Sequence, residues 1–223
     1  MTEFDLAEHP VRALNQSLHN SPQGRWQVLH PDGRHCIAAG VDAPVEIGID
    51  GHVGYYCAGM NKQADVTING SAGPGVAENM MSGSVRVLGN VSHCAGASSH
   101  GGLLVVEGDA SARCGISMKG ADIVVQGSVG HMSAFMAQTG RLVICGDAGD
   151  FLGDSIYETV VYLAGKVGKL GADCVEKEMT PEHLQSLTEL LAASAITTDP
   201  TEFRRYGSAR KLYKFNIDHA SDY

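Results

Sequence analysis

Gly108-Asp-Ala-Ser-Ala-Arg-Cys-Gly-Ile-Ser-Met-Lys-Gly-Ala-Asp-Ile-Val-Val-Gln-Gly127 is one period of a pattern that decides the fold. Glycine returns every nineteenth residue, at Gly51, Gly70, Gly89, Gly108, Gly127, Gly146 and Gly165. Two residues past each stands Val53, Ala72, Val91, Ala110, Val129, Ala148 or Val167, and seven past stands only alanine or glycine, from Ala58 to Ala172. A β-branched or leucine pair, such as Val85/Val87 or Ile123/Val125, precedes the later glycines. One short alternating strand per fixed period is the mark of a solenoid whose units bury their apolar faces against each other. The expected fold is an all-β solenoid, a right-handed parallel β-helix of about seven coils, because parallel crossovers take that hand. Each glycine is expected at a left-handed corner, and the seventh positions form a column of small inward residues.

Working outward, residues 1–44 read as a cap. Phe4-Asp5-Leu6 is strand-like, Pro10 with Val11, Leu14 and Leu18 predicts a short helix, and Trp26/Val28, His30-Pro31-Asp32-Gly33 and Cys36–Ala39 predict a hairpin over the first coil. The β-helix covers 45–172. In 173–223, Thr180-Pro181 opens a helix to about Ile196 with one leucine face. A tail then interleaves Arg204, Arg205, Arg210, Lys211 and Lys214 with Phe203, Tyr206, Tyr213 and Phe215, suited to lying along an acidic body or docking an acidic partner.

The 223 residues carry 28 glycines, an excess that the repeat explains, and a formal net charge of −9, which argues against a general nucleic-acid binder. With neither an apolar run long enough to span a bilayer nor a leader, a cytoplasmic protein without membrane contact is expected. The six cysteines form no CxxC pair, so reduced thiols are expected. His93 and His131 share a repeat position but lie two coils, roughly 10 Å, apart, too far to converge on a metal. The glycines match neither a P-loop nor a dinucleotide fingerprint, and no catalytic set assembles. Catalytic and metal residues are therefore expected to be none. Candidate partner contacts are Tyr55, Tyr56, Met80, Met81, Met118 and Phe135, between corner and next strand, with Arg204, Arg205 and Tyr213 of the tail.

The strings Gly54-Tyr-Tyr-Cys-Ala-Gly-Met60, Gly75-Val-Ala-Glu-Asn-Met-Met-Ser-Gly83, Ala112-Arg-Cys-Gly-Ile-Ser-Met-Lys-Gly120, Gly130-His-Met-Ser-Ala-Phe-Met136 and Gly153-Asp-Ser-Ile-Tyr-Glu158 resemble the GXGXG-domain family, the C-terminal β-helix of the glutamate synthase large subunit. The resemblance covers most of the chain. As a free chain of this length, it is similar to the branch that serves N-methylglutamate synthase (methylamine-glutamate N-methyltransferase). It implies a scaffold subunit beside a class II glutamine amidotransferase-like subunit and an FMN-binding glutamate synthase-like subunit, in a hetero-oligomer converting methylamine and L-glutamate to N-methyl-L-glutamate and ammonia. FMN and an iron-sulfur cluster would sit on a partner, with no cofactor here. Opening at Met1-Thr2, the chain is expected to lack the amidotransferase cysteine. The alternatives are a formylmethanofuran dehydrogenase-like scaffold and a stand-alone β-helix enzyme; against the latter stands a period of nineteen rather than six.

Overall fold

A computed structural model describes residues 1–20 and 22–210. The strands are β1 (Thr2–Asp5), β2 (Arg25–Leu29), β3 (Glu46–Asp50), β4 (Asp65–Ile68), β5 (Ser84–Val87), β6 (Leu103–Val106), β7 (Lys119–Val125), β8 (Thr139–Ile144), β9 (Val160–Leu163), β10 (Cys174–Lys177) and β11 (Arg204–Ser208). Two α-helices accompany them, α1 (Val11–His19) and α2 (Pro181–Ala193). All the strands join one sheet, in order from β1 to β9, then β11, then β10. From β1 to β9 every pairing is parallel, and Val66 aligns with Val85, Val85 with Leu104, and Leu104 with Ile123. The protein is a parallel β-solenoid, as the period predicts. Both members of each strand pair, from Val66/Ile68 to Val161/Leu163, are almost fully buried, and one apolar core runs from Leu6 to Tyr206.

A second, single-residue column of bridges links Val53, Ala72, Val91, Ala110, Val129, Ala148 and Val167 across the coil from the sheet. Between this column and the next strand the chain forms a ribbon of an unusual kind. In the first six repeats its fifth, seventh and ninth residues after the glycine have positive φ, as in Arg113 (60°), Gly115 (68°) and Ser117 (52°), or Met132 (56°), Ala134 (56°) and Met136 (52°). The left-handed residues are thus in the ribbon. Of the seven period-setting glycines, only Gly51 has φ in that region, at 136°. The expectation of left-handed corners at these glycines is corrected accordingly.

What requires glycine at the period-setting position is space. Gly108 N–H donates to Gly89 O (3.2 Å), Gly127 N–H to Gly108 O (3.0 Å) and Gly146 N–H to Gly127 O (2.9 Å), so backbone stacks directly on backbone. A Cβ on Gly108 would lie 2.8 Å from the Gly89 carbonyl carbon and oxygen. At the seventh position the residue must be both left-handed and inward. Ala58, Ala77 and Ala134 are wholly buried there, and a Cβ on Gly96 would stand 2.5 Å from Ile123 Cδ1. Ala172, in the last coil, is exposed. A left-handed L-residue costs about 1–2 kcal/mol, offset here by bonds between coils. Ala134 N–H donates back to Cys114 O (2.8 Å), while Arg113 N–H and Ser117 N–H donate forward to His131 O (3.0 Å) and Phe135 O (2.8 Å).

Sequence reasoning missed a third device. One residue past each of the first six glycines stand His52, Ser71, Asn90, Asp109, Ser128 and Asp147, all short acceptors. Each side chain accepts the backbone N–H of its successor nineteen residues on, from Ser71 N–H to His52 Nδ1 (2.9 Å) through Asp109 N–H to Asn90 Oδ1 (2.8 Å) to Lys166 N–H to Asp147 Oδ1 (2.7 Å).

The predicted N-terminal hairpin is also corrected, because β2 pairs with β3 in parallel, Arg25 opposite Glu46. Cys36, Ala38 and Gly40, with positive φ, form ribbon twenty residues before Tyr56, Ala58 and Met60, and the sheet already begins with β1. Helix α1 starts after Pro10 and buries Leu14 and Leu18, as its spacing predicts. At the other end the array closes by reversal. Strand β11 inserts between β9 and β10 and is antiparallel to both. The last turn of the predicted C-terminal helix is absent, since α2 ends at Ala193, and Thr180 precedes it without a side-chain cap. Leu187, Leu190 and Leu191 pack on Val124, Val143 and Tyr162, which point outward from β7–β9.

Candidate interaction surface

Helix α2 is fastened to the sheet by polar contacts at the rim of its apolar face. Arg141 on β8 donates from Nε and Nη2 to both oxygens of Asp122 on β7 (2.7 and 2.5 Å), and from Nη1 to Ser186 Oγ (2.8 Å). This two-point pairing holds the guanidinium charged, raising its pKa. Arg86 donates to Glu107 Oε1 (2.9 Å) and to Ser194 O just beyond α2 (2.8 Å). The Tyr162 hydroxyl lies 2.9 Å from His183 Nδ1. Burial, with Arg205 nearby, lowers the His183 pKa, so its neutral form belongs to the fold. A cleft of about 400 Å³ remains beside this clamp, lined by Gly83, Gly102, Gly120, Asp122, Arg141 and Glu189 among others. Its Asp122 and Arg141 are already paired with each other, and it presents no nucleophile.

The thiols are equally quiet. Cys57 and Cys114 are enclosed in the core, and burial pushes both up to about 12, while Cys174 rises to about 11. Such groups stay protonated and unreactive near neutrality. All six cysteines are free. Among the described residues no three His, Cys, Asp or Glu side chains converge as metal ligands, and no helix is long and apolar enough to cross a membrane.

The ribbon side is where apolar surface meets solvent. Tyr55, Met60 and Met81 toward one end, and Met136, Phe151 and Tyr157 toward the other, are each 44–48% exposed. Of the sequence-derived contact candidates, Tyr55 and Met81 are on this surface, and Tyr56 and Phe135 are half-buried within it. Met80 and Met118 are corrected. Both are 0% exposed, since the tenth position points into the coil, where they share a column with Asn61, Ser99, Ala137 and Ile156. Phe151 and Tyr157 were missed, although they share the fifth and eleventh positions with Tyr56 and Met81. Arg204 and Arg205 are engaged within the chain. Arg204 Nη2 donates to Gly165 O (2.7 Å) with its guanidinium over the Tyr206 ring, and Arg205 Nε donates to Glu178 O (2.7 Å). Tyr213 lies outside the described residues.

No family model matches the sequence. A comparison with curated proteins finds Protein GlxC of Rhizobium meliloti (strain 1021), 59% identical over 228 residues that span the whole of both chains. At that identity over its full length, the chain belongs to the family of Protein GlxC.

Proposed function

We propose that this protein is the scaffold subunit of a glutamate synthase-like, FMN-dependent complex that converts methylamine and L-glutamate to N-methyl-L-glutamate and ammonia. The reading rests on the GXGXG-like strings, and one structural observation supports it above others. A stack of coils in fixed register, bonded backbone to backbone along the glycine column, exposes tyrosine, phenylalanine and methionine on one side. A stiff body with apolar anchors holds partner chains at a set separation, and a reactant passed between neighbouring sites reacts at raised effective concentration. The amidotransferase-like and flavin-binding chains carry the chemistry in this scheme. The test is reconstitution of N-methylglutamate formation from the three chains. Turnover is expected to need this chain and to be absent from it alone. Undiminished turnover without it, or turnover by it in isolation, sinks the proposal.

A further inference from the structure

The molecule is acidic, with a formal net charge of −9, but the charge is unevenly placed. Along the ribbon of three consecutive coils, 91–101, 110–120 and 129–139, there is no aspartate or glutamate. The same stretch exposes Arg113, Lys119, His93, His100 and His131. Neither Arg113 nor Lys119 forms an ion pair with any described residue. Carboxylates return on either side, at Glu78 and at Asp150, Asp154 and Glu158.

Within this acid-free band lies apolar surface as well. Ile116 and Phe135 occupy the eighth position of adjacent coils, so their backbones sit about 4.8 Å apart, and both are half-buried. Met136, beside Phe135, is 44% exposed. Position five of the ribbon brings Arg113 to one flank of this strip and position eleven brings Lys119 to the other. Methionine adapts its shape to a partner surface, and flanking cations select a partner by charge and speed its encounter.

We infer that the strip Ile116–Phe135–Met136, between Arg113 and Lys119, docks a segment of a partner subunit that presents an apolar anchor flanked by carboxylates. The inference rests on the assembled-subunit reading above and adds where the partner binds and what chemistry it brings.

The experiment co-expresses the tagged chain with the amidotransferase-like and flavin-binding chains and compares complex with free chain. A zero-length carboxylate-to-amine cross-linker should join Lys119 to an aspartate or glutamate of another subunit. Peroxide should oxidise Met136 at least fivefold more slowly in the complex. Arg113→Glu with Lys119→Glu should cut recovered partner at least tenfold without changing the free chain's melting temperature, and Lys119→Arg should retain it. Equal oxidation of Met136 in both samples, cross-links from Lys119 only to another copy of this chain, or full recovery with the double reversal overturns the inference. A complex that protects Met136 and cross-links Lys119 but makes no N-methylglutamate defeats the functional reading alone, whereas turnover with Met136 unprotected defeats the docking surface alone. Failure of the chains to associate defeats both.

Discussion

Alanine at Gly108 tests whether close backbone stacking, rather than conformational freedom, places glycine at each period. Its Cβ would lie 2.8 Å from the carbonyl carbon and oxygen of Gly89 and would collide with Asn90 Oδ1. To admit it the coils must part, weakening the Gly108 N–H to Gly89 O bond (3.2 Å) and the Asp109 N–H to Asn90 Oδ1 bond (2.8 Å). Two hydrogen bonds at about 1 kcal/mol each, plus about 1–3 kcal/mol for overpacking, give about 4 kcal/mol. For a chain of this size that is about 8–16 °C in Tm. Gly33→Ala is the matched control, since Gly33 has φ of +70° but nothing within 4 Å of its Cβ, so only about 1–2 kcal/mol of left-handed strain applies. Thermal melts and urea titrations of both variants read the difference. Adding Asn90→Ala should ease the collision, so Gly108→Ala should cost about 1 kcal/mol less in that background, a coupling that a double-mutant cycle resolves. Equal losses for Gly33→Ala and Gly108→Ala, or a larger loss at Gly33, would refute the stacking argument.

Ser117→Gly, at φ of 52° in the ribbon, should be neutral to slightly stabilising, because relief of about 1–2 kcal/mol of strain exceeds about 0.4–1 kcal/mol of added unfolded-chain entropy; a urea midpoint well below the parent's would contradict the left-handed assignment. Two imidazoles should respond oppositely to pH. His183 has a lowered pKa, so the unfolded chain takes the proton first and its stabilisation is lost as pH falls below about 6.5; the stability gap between parent and His183→Gln should narrow from pH 8 to pH 5.5. His30, raised by its 2.8 Å bond to Asp5, contributes fully below about 6.5 and loses that contribution as pH rises through its raised pKa, so the His30→Gln gap should narrow in the other direction; parallel trends in the two variants would show the signs to be wrong. Cys57 and Cys114, at about 12, have roughly one thiolate in ten thousand at pH 8 and should resist iodoacetamide until the chain is unfolded, whereas rapid labelling of either in the native protein would show that the core opens there.

The strand pairs and the period were legible because burial imposes the same residue classes at every coil. Met80 and Met81 show the resolution of such reading: neighbours of one residue type face opposite ways, and only the tenth-position column of Asn61, Ser99 and Ala137 tells which is inside. The left-handed rows were not legible, because Tyr56, Cys94, Arg113, Met132 and Phe151 share no preference for positive φ. Stacking imposes that conformation from outside the residue. The first coil is hidden in the sequence for a related reason. His30-Pro31-Asp32-Gly33 marks a change of direction but not whether the chain returns beside itself or climbs, and its twenty-residue coil hides Cys36–Gly40 from a search at nineteen. The ladder of His52, Ser71, Asn90, Asp109, Ser128 and Asp147 is visible in the sequence as a column of acceptors one residue past the glycine. The basic-aromatic segment reads as a docking tail because strand signals in Arg204–Ser208 are weak out of context, and truncation before Thr201 would remove a strand of the sheet.

The reversal at the C-terminal end carries a consequence for synthesis. Strand β11 fills the place beside β9, but Arg204 lies 41 residues beyond Leu163. At roughly 5–20 residues per second, a ribosome takes about 2–8 s to deliver the one strand that belongs there. Through that interval the edge of β9 is an open template, and β10, made earlier, is the nearest segment able to occupy it wrongly. At this end of the sheet, then, the order of synthesis runs against the order of the strands.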